Sequence, residues 1–519
     1  ESIHFHAARN HFSGWLMARS EILLAYRLRP VKVTDFENTA KLKDYLVACL
    51  SERRRGRQRG VVTDFDPGHF DPDADFVKIG NGSMGGKARG LAFMANRLKN
   101  LSDGIAGREG AQVGVPQTFV ISTEAFDAFI NENDLRDIAS CEKSDTHIAR
   151  VFQEGHLPAF LQQALDLFLT HADYPLAVRS SSLLEDAQHQ PFTGLYATFL
   201  LPNCHPDRNV RRRQLDYAVK QVYASTFRRK ARRYARSTGY RIEQEKMAVL
   251  VQRLTGREHR GFFCPDISGQ AFSFNFYPVA PMQAEDGIAL VTAGLGAPDD
   301  DKIRALRFCP RHPQKLPQFS TVDDILANAQ RHFMALDLQS ARRRVDSQVV
   351  GGLQKLDIDD FPEHPLIKAL SSTFIPEENR IRDSAPSRGG YPVVTFAPIL
   401  KHNTFPLPAV IMDLLASGRQ GMGGPVEIEF AVQLPRSQDE KACFHLLQIR
   451  PMPQFEQQTG DVLTAEAKSE ALCFSSLALG NGRYSDIADI VLVDPETFDP
   501  AHTVDIAAEI GRLNSALAQ

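Results

Sequence analysis

The sequence has little of what would tie it to an oxidising compartment, a membrane or a polyanion. Seven cysteines in 519 residues (positions 49, 141, 204, 264, 309, 443 and 473) are scattered and odd in number, without Cys-x-x-Cys or Cys/His metal spacing. Such thiols are expected to be reduced and to fill core positions in a cytoplasmic protein. No apolar run is long enough to span a bilayer and none has the make-up of a signal peptide, so no membrane partner is expected. The net charge of −3 exerts no overall pull toward nucleic acid. What is present is an ordinary globular composition, 43% hydrophobic and 24% charged, in a chain too long for one core. Two or three domains or subdomains are expected. The chain opens on Glu1, which reads as a piece of something longer.

Residues 4–50 read as helical, with Phe12, Trp15, Leu16, Ile22, Leu23, Leu24 and Tyr26 as an apolar stripe. Thr34 and Glu37 have the spacing of a capping box before a second helix to Leu50. A basic run at 53–59 and a Pro/Asp/Gly-rich linker at 63–75 place a boundary near residue 75. Beyond it, short β-rich runs alternate with helical patterns, which indicates α/β or α+β organisation. Strands are expected at 116–121, 176–179, 195–201, 247–254, 271–276, 288–292, 392–397, 426–433 and 443–449. Helices are expected at 86–99, 123–132, 158–171, 208–236, 322–337 and 407–417. The polar stretch 339–390 reads as an insertion packed on the surface. Residues 456–519 read as a small α/β segment, with a strand at 489–493 and a helix at 503–517.

Chemistry concentrates in a few places. Gly80-Asn81-Gly82-Ser83-Met84-Gly85-Gly86-Lys87 leads into a helical pattern, and four glycines in seven residues let a backbone wrap an anion. The helix dipole and Lys87 add positive charge, which suits a polyphosphate. Ala88 after the lysine excludes a Walker A loop, and a plain turn before a helix carries the same pattern. Val426-Glu427-Ile428-Glu429-Phe430 puts both carboxylates on one face of a strand. The returning run Phe444–Pro451 puts Gln448 and Arg450 on one face in the same way. Paired, the strands offer hard oxygen ligands suited to Mg²⁺, with an arginine to hold a phosphoryl group; alone, the same residues make an exposed sheet face of paired charges. Arg179 ends a short buried strand and three serines follow it, either a grip for phosphate oxygens or a helix cap with an ion pair to Glu185 or Asp186. Met247–Leu254 is an apolar strand ending in polar residues, able to offer backbone groups to an adenine edge or simply buried.

Together the loop GNGSMGGKARGLA, VPQTFVISTEAFDAFI, VRSSSLLEDAQHQPFTGLYATFL, MAVLVQRLTG and VEIEFAV…FHLLQIRP stand in the order found in a known family. They resemble the nucleotide-binding domain of phosphoenolpyruvate synthase and pyruvate phosphate dikinase, an ATP-grasp variant, over roughly 76–453. The resemblance implies an α+β architecture. An ATP-grasp domain of two α/β subdomains at 76–455 would be flanked by a helical N-terminal extension at 1–75 and the small segment at 456–519. It implies Lys87 and Arg179 on the ATP phosphates beside Gly82, Ser83, Gly85 and Gly86, with Gln252 and Leu254 by the adenine. Glu427 and Glu429 would serve the metal and ribose side, Gln448 would complete the Mg²⁺ shell, and Arg450 would sit on the phosphates being transferred.

The chain departs from that family in several places. Glu427 stands where an Asp is common, and Ala297-Pro298-Asp299-Asp300-Asp301 follows the Gly-Leu-Gly turn at 294–296. The dikinases' acceptor histidine motif has no counterpart beyond Thr170-His171-Ala172, which reads as a helix end. The tail past Pro453 is too short for the acceptor domains. The expectation is an Mg-ATP-dependent phosphotransferase module acting on a histidine or small molecule carried by another domain or partner. A catalytically silent ATP sensor is the alternative. The basic run from Arg208 to Arg236 lacks aromatic interleaving, so a solvated helix is preferred over nucleic-acid binding. The N-terminal extension is a candidate for docking on a partner or on a second copy of the chain.

Overall fold

The computed structural model describes residues 2–58, 60–100, 111–139, 143–182, 194–237, 240–296, 304–343, 352–383, 390–437, 440–452, 469–472, 488–494 and 497–517. The chain divides into two units, Glu1–Gln454 and Phe455–Gln519. Helices and several sheets are interspersed along the first, an α+β architecture.

A continuous apolar strand has to be covered on both faces, and Met247–Arg253 is the example that organises the first sheet. Its neighbours place it fourth in the order Val62–Asp64, Phe76–Ile79, Thr118–Ile121, Met247–Arg253, Leu176–Ser182, Thr198–Leu201. The first three strands are parallel and the rest antiparallel. Val249 and Val251 join Val77, Ile79, Phe119 and Ile121 in a core packed with Phe126, Phe129, Leu161, Phe168 and Val219 from covering helices. Leu250 points the other way, with Phe76 and Val120, into a second core.

That second core reaches the other large sheet, ordered Leu306–Phe308, Ile288–Ala293, Ile267–Phe272, Val426–Gln433, Ala442–Pro451, Ala111–Gly114. Only its last pairing is parallel. Helix Gly85–Asn100 contributes Ala88, Leu91 and Met94 to the same core as Ile428, Phe430 and Ile449. Gly90 permits this contact, because a Cβ there would stand 2.9 Å from the Ile449 carbonyl oxygen. The helix following the glycine-rich loop therefore packs with residues of both sheets.

Several elements differ from expectation. The 208–236 helix is two, Arg208–Ser225 and Arg229–Ser237. The 322–337 helix ends at Asn328 and continues as strand His332–Asp337, whose apolar residues are buried. At the changeover Gln330 bonds the N–H and carbonyl of Ala293 through its side-chain amide. The strand expected at 271–276 lies at Ile267–Phe272. The stretch 339–390 is not confined to the surface: Ile358, Leu366, Ile367 and Leu370 are in the core, and Leu353–Asp357 pairs with His332–Asp337. The 63–75 linker begins inside the first sheet, since Val62–Asp64 pairs with Phe76–Lys78. Thr34 falls in a short 3₁₀ turn, and the long helix starts at Thr39 with Asn38 Oδ1 accepting from Lys41 N–H. Among its described residues the second unit holds helix Thr503–Leu517, and 489–493 forms no strand.

Candidate functional site

The hairpin pairs as its alternation requires. Glu427 stands opposite Arg450 and Glu429 opposite Gln448. The register then slips by one, so Phe430 faces Leu446 and Leu447 is the extra residue of a β-bulge. On the far side Gln270 lies beside Glu429.

Arg179 joins the two sheets at this point. It leaves strand Leu176–Ser182 of the first sheet and donates from Nη2 to Glu429 Oε2 at 2.5 Å and to Gln448 Oε1 at 2.8 Å. From Nη1 it donates to the bulged Leu447 carbonyl at 3.2 Å. Arg450 donates from Nε and Nη2 to Glu427 Oε2 at 2.9 and 2.7 Å. The four charged side chains are largely shielded, between 6% and 27% exposed.

The environments separate the two carboxyls. Burial pushes Glu427 above the usual carboxylate range, Arg450 opposes it, and neighbouring Glu429 adds to the rise. Burial also pushes Glu429 up, but Arg179, Lys87 and Arg450 outweigh it and hold that carboxyl below its ordinary value. Glu429 is therefore held as the anion among three cations.

The glycine-rich loop closes on the same strand end. Gly80 and Gly85 take positive φ, +82° and +75°. A Cβ on Gly85 would overlap the Ser181 carbonyl, so only glycine fits this close approach. Ser83 donates its N–H to Thr123 Oγ1 at 3.0 Å, and its own hydroxyl accepts from Gly85 N–H at 3.2 Å. Gly82 packs on Thr123 and Glu124, and Gly86 lies in the first turn of the helix. Asn81 N–H donates to the Glu124 carboxylate. Ser181 Oγ donates to the Met84 carbonyl at 2.8 Å and accepts from Ala88 N–H at 3.2 Å. Lys87, 9% exposed, reaches Ser180 Oγ at 3.3 Å. Several amides of this loop are thus already held by side-chain oxygens, and the charge it presents comes chiefly from Lys87.

Gln252 is 2% exposed and donates from Nε2 to Thr118 Oγ1 at 3.2 Å. It pairs with Ala177, two residues before Arg179, and so shares the Arg179 face of the sheet. Leu254 N–H donates to the Pro175 carbonyl at 2.8 Å, so that donor is engaged within the chain. Thr123, Glu124, the Leu447 carbonyl and Gln270 were not singled out by position in the sequence, whereas Ser180 was, as one of the three serines after Arg179. Thr123 and Glu124 stand at the start of a helix and only the fold brings them onto the loop. The acidic run at 299–301, and Glu185 and Asp186, lie outside the described residues. Among the described residues no three His, Cys, Asp or Glu side chains gather. A hard cation would therefore find two carboxylates and the Gln448 amide, and would complete its shell with water and ligand oxygens.

Residues 81–300 match the family model described as pyruvate phosphate dikinase, AMP/ATP-binding domain. That stretch is similar to an AMP/ATP-binding domain of the pyruvate phosphate dikinase type. The match holds Lys87, Arg179, Gln252 and Leu254 and stops before the Glu427–Arg450 hairpin. The chain is similar to a probable phosphoenolpyruvate synthase of Methanocaldococcus jannaschii, 27% identical over 34% of this chain and 17% of that one. A phosphoenolpyruvate synthase of Deinococcus radiodurans is 30% identical over 34% of this chain and 23% of its own length. An uncharacterized phosphotransferase, YvkC, of Bacillus subtilis is 27% identical over 35% and 19%. The chain thus aligns with about a fifth of the length of these relatives. No described helix is long and apolar enough to cross a membrane.

Proposed function

We propose that residues 76–455 form an Mg-ATP-dependent phosphotransferase module of the ATP-grasp type, whose two subdomains are built on the two six-stranded sheets. The observation that carries this reading is Arg179, from the sheet of the AMP/ATP-binding match, bonded to Glu429 and Gln448 on the hairpin outside it. Lys87 and Arg179 would hold the ATP phosphates beside Gly82, Ser83, Gly85 and Gly86. Gln252 and the Leu254 carbonyl would border the adenine. Glu429, Gln448 and Glu427 would hold Mg²⁺, whose charge, when bound, neutralises that of the phosphates. Arg450 would leave Glu427 for the phosphoryl group in flight, and Glu427 would then turn to the cation. In this mode positioning and charge neutralisation do nearly all the work. The acceptor, a histidine or small molecule, would be carried by another domain or partner in the cytoplasm.

The catalytically silent ATP sensor draws support from one observation: Arg179 and Arg450 are already paired with Glu429 and Glu427 in the protein alone. Calorimetric titration of ATP with and without Mg²⁺, into the wild type and Lys87→Ala, followed by nucleotide analysis, tests both readings. Mg-dependent binding weakened at least tenfold by Lys87→Ala, with ADP or AMP formed on adding an acceptor, is expected. Binding without turnover would favour the sensor. No binding would overturn the assignment of the site.

A further inference from the structure

The sheet face that carries Glu427 and Glu429 extends past them. Cross-strand partners share a face, and the register sets Gln448, Glu429, Gln270, Leu290 and Arg307 side by side across five strands. The next row on that face is Arg450, Glu427, Phe272 and Ile288. Burial over strands Ile267–Phe272 and Ile288–Ala293 is one-sided. Ile267, Ala271, Ala289, Val291 and Ala293 are fully buried underneath, whereas Gln270, Phe272, Ile288 and Leu290 stay half-buried and Arg307 is exposed. A largely apolar floor therefore lies open beside the two carboxylates. On it Ser268 and Thr292 are engaged within the chain, Ser268 Oγ with the Gly294 carbonyl at 2.7 Å and Thr292 Oγ1 with the Ser268 carbonyl at 3.5 Å. Gln270 and Arg307 differ. Among the described residues neither side chain makes a hydrogen bond or an ion pair, and Arg307 is held only through its backbone N–H, which donates to Gln318 Oε1. Arg307 is also the only cation on strands Ile267–Phe272, Ile288–Ala293 and Leu306–Phe308.

We propose that this floor is the acceptor's site and takes a small carboxylate with an apolar body and a polar far end. The carboxylate lies on Arg307, the body on Leu290, Ile288 and Phe272, and the polar end at Gln270, beside Glu429. The inference rests on the phosphotransferase reading, which assigns the nucleotide to Lys87, Arg179, Gln252 and Arg450, and it names the class of that reading's acceptor. A guanidinium grips one carboxylate through two parallel N–H donors, and with no second cation on these strands a singly charged group suits it better than a phosphate dianion. Hydrocarbon laid on the floor leaves water. The Gln270 amide both donates and accepts, so it can hold a hydroxyl, whereas a second carboxylate there would face Glu429. Gln270 and Arg307 stand two strand spacings apart, about 9.5 Å between Cα atoms, which sets the length of the body.

The test is saturation-transfer NMR titration of ω-hydroxybutanoate, ω-hydroxyhexanoate and ω-hydroxyoctanoate into the full chain, with Mg²⁺ and a non-hydrolysable ATP analogue present. Hexanediol is the control without a carboxylate. Expected is saturable binding of at least one acid, at least tenfold tighter than the diol, weakened at least tenfold by Arg307→Glu and partly restored by Arg307→Lys. Calorimetry should show that Arg307→Glu binds the Mg-nucleotide within twofold of wild type, and circular dichroism melts check that it folds. With Mn²⁺ in place of Mg²⁺, the methylene beside the hydroxyl should relax faster than the one beside the carboxylate, because the cation is assigned to the Glu429 end. Faster relaxation at the carboxylate end would overturn the placement. Acids that do not bind, or that bind Arg307→Glu equally well, would overturn the proposal; Mg-nucleotide binding would then keep the phosphotransferase reading, with a histidine of another domain or partner as acceptor. A tenfold loss of Mg-nucleotide affinity in Arg307→Glu would give the floor to the nucleotide and overturn the proposal too. An acid bound by a protein that binds no nucleotide would overturn the phosphotransferase reading and the acceptor assignment with it.

Discussion

Arg179 makes three contacts across the two sheets, with Glu429, Gln448 and the Leu447 carbonyl, and truncating it strands a shielded carboxylate. Removing one partner of such a pair destabilises by ~3–5 kcal/mol when fully buried. With Glu429 27% exposed, the expected loss for Arg179→Ala is about 2 kcal/mol, read as a lowered urea midpoint at unchanged slope. Arg179→Ala together with Glu429→Gln should recover part of that loss, because no unpaired charge remains; a double variant no more stable than Arg179→Ala alone would refute the pairing. Arg450→Ala should lower turnover about a hundredfold, ~3 kcal/mol of transition-state stabilisation, with a smaller effect on ATP affinity. Unchanged turnover would remove Arg450 from the mechanism. That Glu427, Glu429, Gln448 and Arg450 share one face of the hairpin was legible in the sequence, because a period of two fixes which residues share a strand face; the contact of Arg179 with Glu429 and Gln448 was not, because the fold brings Arg179 from the other sheet. The Leu447 bulge was not, since it arises from how the two backbones register and leaves no mark in the Leu446-Leu447 pair.

At the scale of the element, the glycine-rich loop is fitted to one backbone contact. Gly85 has φ +75° and faces the Ser181 carbonyl, so alanine there is strained in conformation and blocked in space. Gly85→Ala should destabilise by about 1–3 kcal/mol and abolish measurable ATP binding by displacing Lys87. Gly423→Ala, also at positive φ but with nothing within 4 Å of the added Cβ, is the control expected to retain ATP binding. Strands with strong alternation or a full apolar run, such as Val426–Gln433 and Met247–Arg253, were readable because burial on one or both faces imposes those patterns. His332–Asp337 was missed because Phe-Met-Ala-Leu carries no strand period and continues a helical pattern; its pairing with Leu353–Asp357 decides its state. For the same reason 339–390 read as polar surface, although a few apolar residues within it reach the core.

Across the whole molecule, one buried histidine, His364, and one half-buried histidine, His445, oppose folding in acid. His364 is 4% exposed, accepts from Leu366 N–H at Nδ1 (3.3 Å), and packs edge-on against His259 at 4.5 Å between ring centroids. Burial, then the charges of His259, Arg436 and Arg260, push it from the ordinary 6.5 down to about 3. His445 shares a 3.1 Å contact between its Nδ1 and Thr255 Oγ1, and burial followed by Arg253 lowers it to about 4. In the unfolded chain both take up a proton near 6.5, while the folded protein holds them neutral until pH approaches 4 and then 3. Between those limits the unfolded state binds more protons, so stability falls as pH drops through the window and levels off above about 6.5. The contribution is on the order of 3 kcal/mol for each residue. The carboxyls of Asp216 and Asp266, raised chiefly by burial, titrate with the opposite sign, so the histidine term is read as a difference between proteins. His445→Gln should flatten the decline in unfolding free energy between pH 6.5 and 4 relative to wild type while leaving stability at pH 8 within about 1 kcal/mol. A variant whose stability falls in parallel with wild type through that window would show that His445 already carries its proton in the folded state.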